Sequence, residues 1–270
     1  MTFIICLQSA GVGICSKCTW EVYLIFVILL VLILSCYYFC YYYLHIIEEK
    51  TGQIKWGTEV TPHSRPYMAF VRFYDNKLNI LITSPFCNGS KMNVTLGAHD
   101  INKKENTQQV IPVLQAIRHE NFNTETFTND IMLLKLKYKA QLNAYVDTIA
   151  LPHSEDWVRP GYECSVVDWG KQTNGKLTNT LRKVDVEVQN EQKCKHFFPY
   201  YHDIIQLCVG NPNSKKTTDN GDAGGPLVCN NMSQGMVSYG HVDGKPPQVV
   251  TRISSFVPWI KRTIKRLEHH

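Results

Sequence analysis

Ten cysteines, ten histidines and three Asn-X-Ser/Thr sequons hold most of the covalent chemistry open to this chain. Thiols form disulfides, bind metals or accept acyl chains, and their spacing separates these uses. Cys6, Cys15, Cys18, Cys36 and Cys40 lie in or before a long apolar run. Cys15-x-x-Cys18 has metal-type spacing, but no second pair follows it, so no metal centre is read there. Acylation of cysteines beside a membrane is an equal reading. Cys87, Cys164, Cys194, Cys208 and Cys229 lie downstream, and an odd number leaves one thiol over. Sequons at Asn88, Asn93 and Asn231, together with paired cysteines, point to an oxidising secretory compartment. Asp222 and Ala223 stand inside a glycine-rich heptad, Gly221-Asp222-Ala223-Gly224-Gly225-Pro226-Leu227, whose backbone is free to turn tightly. There is no nucleotide-binding loop, no nucleic-acid module, and no cofactor is expected.

Length and charge bound what surrounds these groups. The 270 residues are 44% hydrophobic and 19% charged, which excludes a disordered, collagenous or minimal disulfide-stapled chain. The net charge of +5 is too small and too dispersed to argue for nucleic-acid binding. Residues 1–21 form an N-terminal tail. Residues 22–47 contain no Asp, Glu, Lys or Arg, and open on Val22–Leu34, continuous hydrocarbon but for Tyr23. That is long enough to span a bilayer, with the tyrosines up to Tyr43 as an interfacial belt. Lys17 before the run and Glu48-Glu49 after it suggest a type II signal anchor with a luminal or extracellular domain. Cleavage of the same segment as a signal would give a secreted or granule protein.

The remaining residues must position the chemistry on strands. Pro66–Phe73, Ile80–Thr83, Asn93–Leu96, Gln109–Ile117, Ile131–Leu136, Cys164–Val167, Lys183–Val188, Gln206–Val209, Pro226–Val228, Gly235–Tyr239 and Val249–Ile253 are short β-rich runs separated by Asn, Gly and Pro. This spacing predicts an all-β barrel or sandwich. Ser254-Ser255 reads as a cap for a closing helix with Val257, Ile260, Ile264 and Leu267 on one stripe. Lys261, Arg262, Lys265 and Arg266 lie off that stripe, as a solvated face or as a contact for sulfated polysaccharide.

The heptad resembles the Gly-Asp-Ser-Gly-Gly-Pro signature of chymotrypsin-like serine peptidases. Pro62–Ala69, Asn93–Asp100, Glu105–Gln109, Asn129–Leu136, Val237–Gly240 and the Ser254–Lys261 helix start are similar to the granzyme, cathepsin G and mast-cell chymase branch. The resemblance covers residues 54–268 and leaves 48–53 as a propeptide-like linker. It implies two packed six-stranded antiparallel barrels and a C-terminal helix, behind an N-terminal hydrophobic helix. It also implies disulfides Cys164–Cys229 and Cys194–Cys208.

Acyl transfer by such enzymes needs a hydroxyl nucleophile, an imidazole base and a buried carboxylate to hold the imidazole. Matched motif by motif, the nucleophile position is Ala223. The histidine motif reads Thr83-Ser84-Pro85-Phe86-Cys87, which puts Phe86 at the base position. Only the carboxylate, Asp130, remains. Only 17 residues separate Ala69 from Cys87, where the family carries a further Cys-Gly-Gly-Phe-Leu-Ile-type strand. Its absence removes the disulfide partner of Cys87 and leaves that thiol free. Gly221 and Ala223 keep the oxyanion-hole backbone. Thr217, Ser238, Tyr239, Gly240 and Gln248 correspond to the substrate pocket, and none is charged. Ile54 and Asp222 stand where the activated terminus pairs with its acid, but Gln53 spoils the processing signal and Lys55-Trp56 would have to fit a tight pocket. Asp168 occupies a glycine position beside the oxyanion region.

The expected protein is an inactive serine-peptidase homologue with a surviving peptide-binding cleft. Its implied partners are a peptide or protein ligand, serpin-type inhibitors or sulfated glycosaminoglycan, with a membrane contact through residues 22–47 and none with nucleic acid. If Ala223, Phe86 and the lost strand reflect an altered or faulty sequence, the protein is instead a granzyme-like serine-type endopeptidase.

Overall fold

β-Branched residues at alternate positions build a strand with one buried face. Val184 and Val186 on one strand, Val166 on the next and Leu227, Val237 and Val250 beyond it do this here, and all are buried. The computed structural model describes residues 57–74, 79–81, 92–169, 179–214, 223–241 and 243–268. Their strands are β1 Thr58–Glu59, β2 Ala69–Tyr74, β3 Asn79–Leu81, β4 Met92–Leu96, β5 Gln109–Arg118, β6 Met132–Leu136, β7 Glu163–Asp168, β8 Arg182–Glu187, β9 Gln206–Val209, β10 Pro226–Cys229, β11 Met232–Gly240 and β12 Gln248–Arg252. Two helices, α1 Glu191–Phe197 and α2 Ile253–Glu268, complete the described part. The expected N-terminal helix and the residues 22–47 span lie outside the described residues. Among those, no helix is long and apolar enough to cross a membrane.

The larger sheet runs β1-β8-β7-β10-β11-β12-β9, antiparallel at every pairing. It curls back on itself. Val188, just past β8, bridges Val209 on β9, and Gly210 donates to the Glu187 carbonyl at 2.8 Å. Those bonds close a six-stranded ring from β8 to β9 and remove its edges, with β1 added outside. The Cys164–Cys229 disulfide ties β7 to β10, and Cys194–Cys208 ties α1 to β9.

The smaller sheet runs β3-β2-β4-β5-β6. Of the second expected six-stranded barrel, five strands fall among the described residues, which do not include 75–78 and 82–91. The second sheet is joined to the first through Phe70, Met68 and Ala98 packed on Val167, Trp169 and Leu181. Trp169 meets the Phe70 ring edge-on at 5.6 Å and donates its indole N–H to the His99 carbonyl at 2.9 Å.

The helix α2 starts at Ile253, so Ser254 and Ser255 fall inside its first turn rather than capping it. Ser255 Oγ donates to the Ile204 carbonyl at 2.6 Å instead. Ile253, Phe256, Trp259 and Ile260 form the buried stripe and pack on Ile131. His119 sits under this stripe, with ring centroids 5.4 Å from Phe256 and 5.0 Å from Trp259. Burial lowers the His119 pKa first, the nearby Arg262 lowers it further, and Glu120 opposes both. A histidine whose folded pKa is depressed costs stability as pH falls through its ordinary range and below. His119→Gln is therefore expected to flatten the loss of thermal stability between neutral pH and pH 5, which thermal melts of the two proteins across that range would measure.

Candidate active-site cleft

The loop from β5 to β6 delivers Asp130. Asn123 pins this loop by accepting from the Glu125 and Thr126 amides through Oδ1, at 2.8 and 3.0 Å. Phe127 and Asn129 adopt positive φ, 55° and 56°, which turn the chain inward before β6. Asp130 is 1% exposed. Its Oδ2 accepts from Ser238 Oγ at 2.5 Å, and its backbone carbonyl accepts from Thr251 Oγ1 at 2.9 Å. The acid is thus held by β11 and β12 together.

A second turn brings Ala223 to the same strand. Gly224 has φ +93° and donates to the Val237 carbonyl at 2.8 Å, while the Val237 amide donates to the Gly225 carbonyl at 2.9 Å. Residues 223–225 are therefore bonded to β11 one residue ahead of Ser238. Past this turn, Tyr239 and Gly240 pair only with β12 in the described ladders, opposite Val249 and Gln248. Gln248 is buried and leans over Gly240. A Cβ built on Gly240 would meet Gln248 Cγ at 2.8 Å. Burial pushes the Tyr239 phenol up to about 12, and its hydroxyl reaches Gln206 Oε1 at 3.4 Å.

The structure thus brings together Asp130, Ala223, Ser238, Tyr239, Gly240 and Gln248. Phe86, Cys87, Asn88, Thr217, Gly221, Asp222 and Ile54 lie outside the described residues. Sequence reasoning missed an aromatic strip beside Tyr239. Phe127 lies 5.3 Å from Tyr239 and Phe198 5.4 Å from it. His241 follows at 5.0 Å from Phe198, and Phe197 at 5.1 Å from His241. The Phe197-Phe198 pair directly after a cysteine-bearing helix was the only sequence signal for it. Among the described residues, no group of three or more His, Cys, Asp or Glu side chains is placed to hold a metal ion.

What this arrangement can do follows from its atoms. Asp130 is buried against Ser238, and the neighbouring Tyr239, Gly240 and Gln248 carry no charge. The methyl of Ala223 carries no lone pair for attack on a carbonyl.

Comparison with known proteins agrees with this geometry. The family model described as Trypsin matches residues 54–260. Mouse mast cell protease 8 is 54% identical over 233 residues, covering 82% of this chain and 94% of that protein. Human granzyme B is 46% identical over 228 residues, covering 80% and 92%. Human cathepsin G is 43% identical over 227 residues, covering 80% and 89%. A solved structure described as "Structure of GrC" superposes with a TM-score of 0.75 at 43% identity, covering 78% of this chain and all of that one. The chain belongs to the trypsin family of chymotrypsin-like serine peptidases, in its granzyme, cathepsin G and chymase branch.

Proposed function

We propose that this protein is a non-catalytic member of its family, which holds an extended peptide or protein segment in the cleft and leaves it uncut. Ala223 carries the reading. It occupies the turn bonded to β11 beside Ser238 and Asp130, where the family motif has its nucleophile. Phe86 at the base position supports it from the sequence. The two disulfides and three sequons fit a protein of the secretory pathway. The ligand's backbone would run beside Ser238, Tyr239 and Gly240, with one side chain over Gln248 and its neighbours on the aromatic strip.

The test is retention of peptides from a randomised library on the immobilised protein, beside its Gly240→Val variant. The wild type is expected to retain a sequence-biased subset. The variant, whose added side chain crowds Gln248 and the strand end, should lose it while keeping its melting temperature within a few degrees. Equal retention by the two proteins would contradict use of this cleft.

A further inference from the structure

Along β7 and β10 lies a polar groove of about 450 Å³, lined by none of the cleft residues. Arg65, Tyr67, Glu163, Ser165, Asp185 and Asn231 line it, and Cys164 and Val228 form its floor. Asn231 is the sequon asparagine of Asn231-Met232-Ser233. It sits in the two-residue turn joining β10 to β11, where Asn230 and Asn231 have φ of 50° and 58° and Cys229 pairs with Met232. A tight hairpin turn of this kind fixes where its second side chain points. The two asparagines differ in what they do. The Asn230 amide donates to the Tyr162 hydroxyl at 2.5 Å, whereas the exposed Asn231 amide makes no hydrogen bond among the described residues.

We infer that this groove is an intramolecular carbohydrate seat: an N-linked sugar on Asn231 lies in it, beside Cys164 of the Cys164–Cys229 disulfide. The lining suits a sugar ring. Carboxylate, hydroxyl and guanidinium groups can meet sugar hydroxyls of either polarity, while Tyr67 offers a face to the ring's C–H side. The volume suits one or two sugar rings by the ordinary scale of ligand sites, a few hundred Å³. Attachment forms a bond from Asn231 Nδ2 to the sugar's C1 as the bond from C1 to a lipid pyrophosphate breaks, and the amide loses one proton. Ser233 is buried in the folded hairpin, with its backbone N–H bonded to the Ala150 carbonyl at 2.9 Å. Modification therefore precedes closure of this hairpin. The seated sugar then bridges β7, β10 and the Ser64–Tyr67 segment; Cys164 and Cys229 are both buried, so thiolates reach their disulfide only when these elements part, and the bridge slows that opening.

The experiment uses the full chain expressed in glycosylating animal cells, with site occupancy read by mass spectrometry. Three proteins are compared: wild type, Asn231→Gln, and Glu163→Gln, which keeps the sequon but weakens the groove. The readout is the rate at which a small thiol reduces Cys164–Cys229. Wild type, and wild type trimmed by endoglycosidase to a single sugar, are expected to be reduced several-fold more slowly than Asn231→Gln. Glu163→Gln should fall between, with its glycan still attached. An unoccupied Asn231 would overturn the inference. So would equal reduction rates in wild type and Asn231→Gln, or a Glu163→Gln rate equal to that of wild type. An Asn93→Gln variant, altered at a sequon on β4, is expected to match wild type; equal sensitisation there would mean that glycans slow reduction generally and would also overturn it.

Discussion

Replacing Ala223 by serine is expected to leave the protein unreactive toward a broad fluorophosphonate and without measurable peptidase turnover. A serine hydroxyl is a poor nucleophile until an adjacent base takes its proton. Asp130 cannot act as that base in place of histidine. Its Oδ2 already accepts from Ser238, and it is 1% exposed at the bottom of the site. On the proposed reading, Phe86 stands where the family has its imidazole. In serine peptidases, loss of the nucleophile or the base alone costs about 10⁶-fold in turnover. The Ala223→Ser variant should therefore match its parent in gel-based fluorophosphonate labelling and in fluorogenic peptide assays. Labelling at the rate of an active relative would mean that another residue supplies the base.

The second large effect concerns Asp168, the last residue of β7. It stands opposite Arg182 of β8 in the antiparallel register. Its Oδ1 accepts from the Trp169 amide at 2.6 Å. Arg182 is turned toward the Gly57 carbonyl, to which its Nη2 donates. Burial pushes the Asp168 carboxyl up from 3.8 to about 7, against the lowering by the Trp169 amide. The sign is the reverse of an ordinary salt-bridged acid. The unfolded chain releases this proton near pH 4 and the folded chain near pH 7. Stability therefore declines as pH rises between those values and is flat above them. The residue as a whole keeps some exposure to solvent. A tenfold change in proton affinity is worth about 1.4 kcal/mol. Discounted for that exposure, Asp168→Asn is expected to gain about 1–3 kcal/mol above pH 7. The gain should vanish near pH 4. Urea unfolding of both proteins across that range gives the comparison, and a pH-independent difference would place the effect in packing rather than in ionisation. Asp168 and His119 act in opposite directions between pH 7 and 5, so each is visible only against its own variant.

The larger sheet was almost fully legible in the sequence. Its strands carry alternating valines bounded by Gly, Asn and Pro, and that pattern survives folding because one face of each strand is buried. The parts that escaped are those without a period. β1 is two residues long and is held by pairing to Arg182 and Lys183 of β8, which no local pattern reports. α1 has seven residues, fewer than two full turns of periodicity, and its one local signal is Asn190, which caps it by accepting from the Gln192 amide at 2.9 Å. The serines of α2 misled because a cap residue is defined by backbone geometry, and here the strand β12 runs directly into the helix. At the site, motif matching named Asp130, Ala223 and Ser238, and the structure brings Ser238 onto Asp130. The aromatic strip did not follow from any motif. It assembles Phe127, Tyr239, Phe198 and His241 from three distant segments: the β5–β6 loop, the end of β11 and the residue after α1.

Binding without hydrolysis is tested most directly by the fate of a bound peptide. Library peptides retained by the purified protein would be incubated with it at a range of protein concentrations, then recovered and weighed by mass spectrometry. Saturable binding is expected, with the peptides recovered at their starting mass after many hours. Cleavage products that grow in proportion to protein concentration, and that disappear after treatment with a fluorophosphonate, would contradict it and return this chain to the active peptidases of its family.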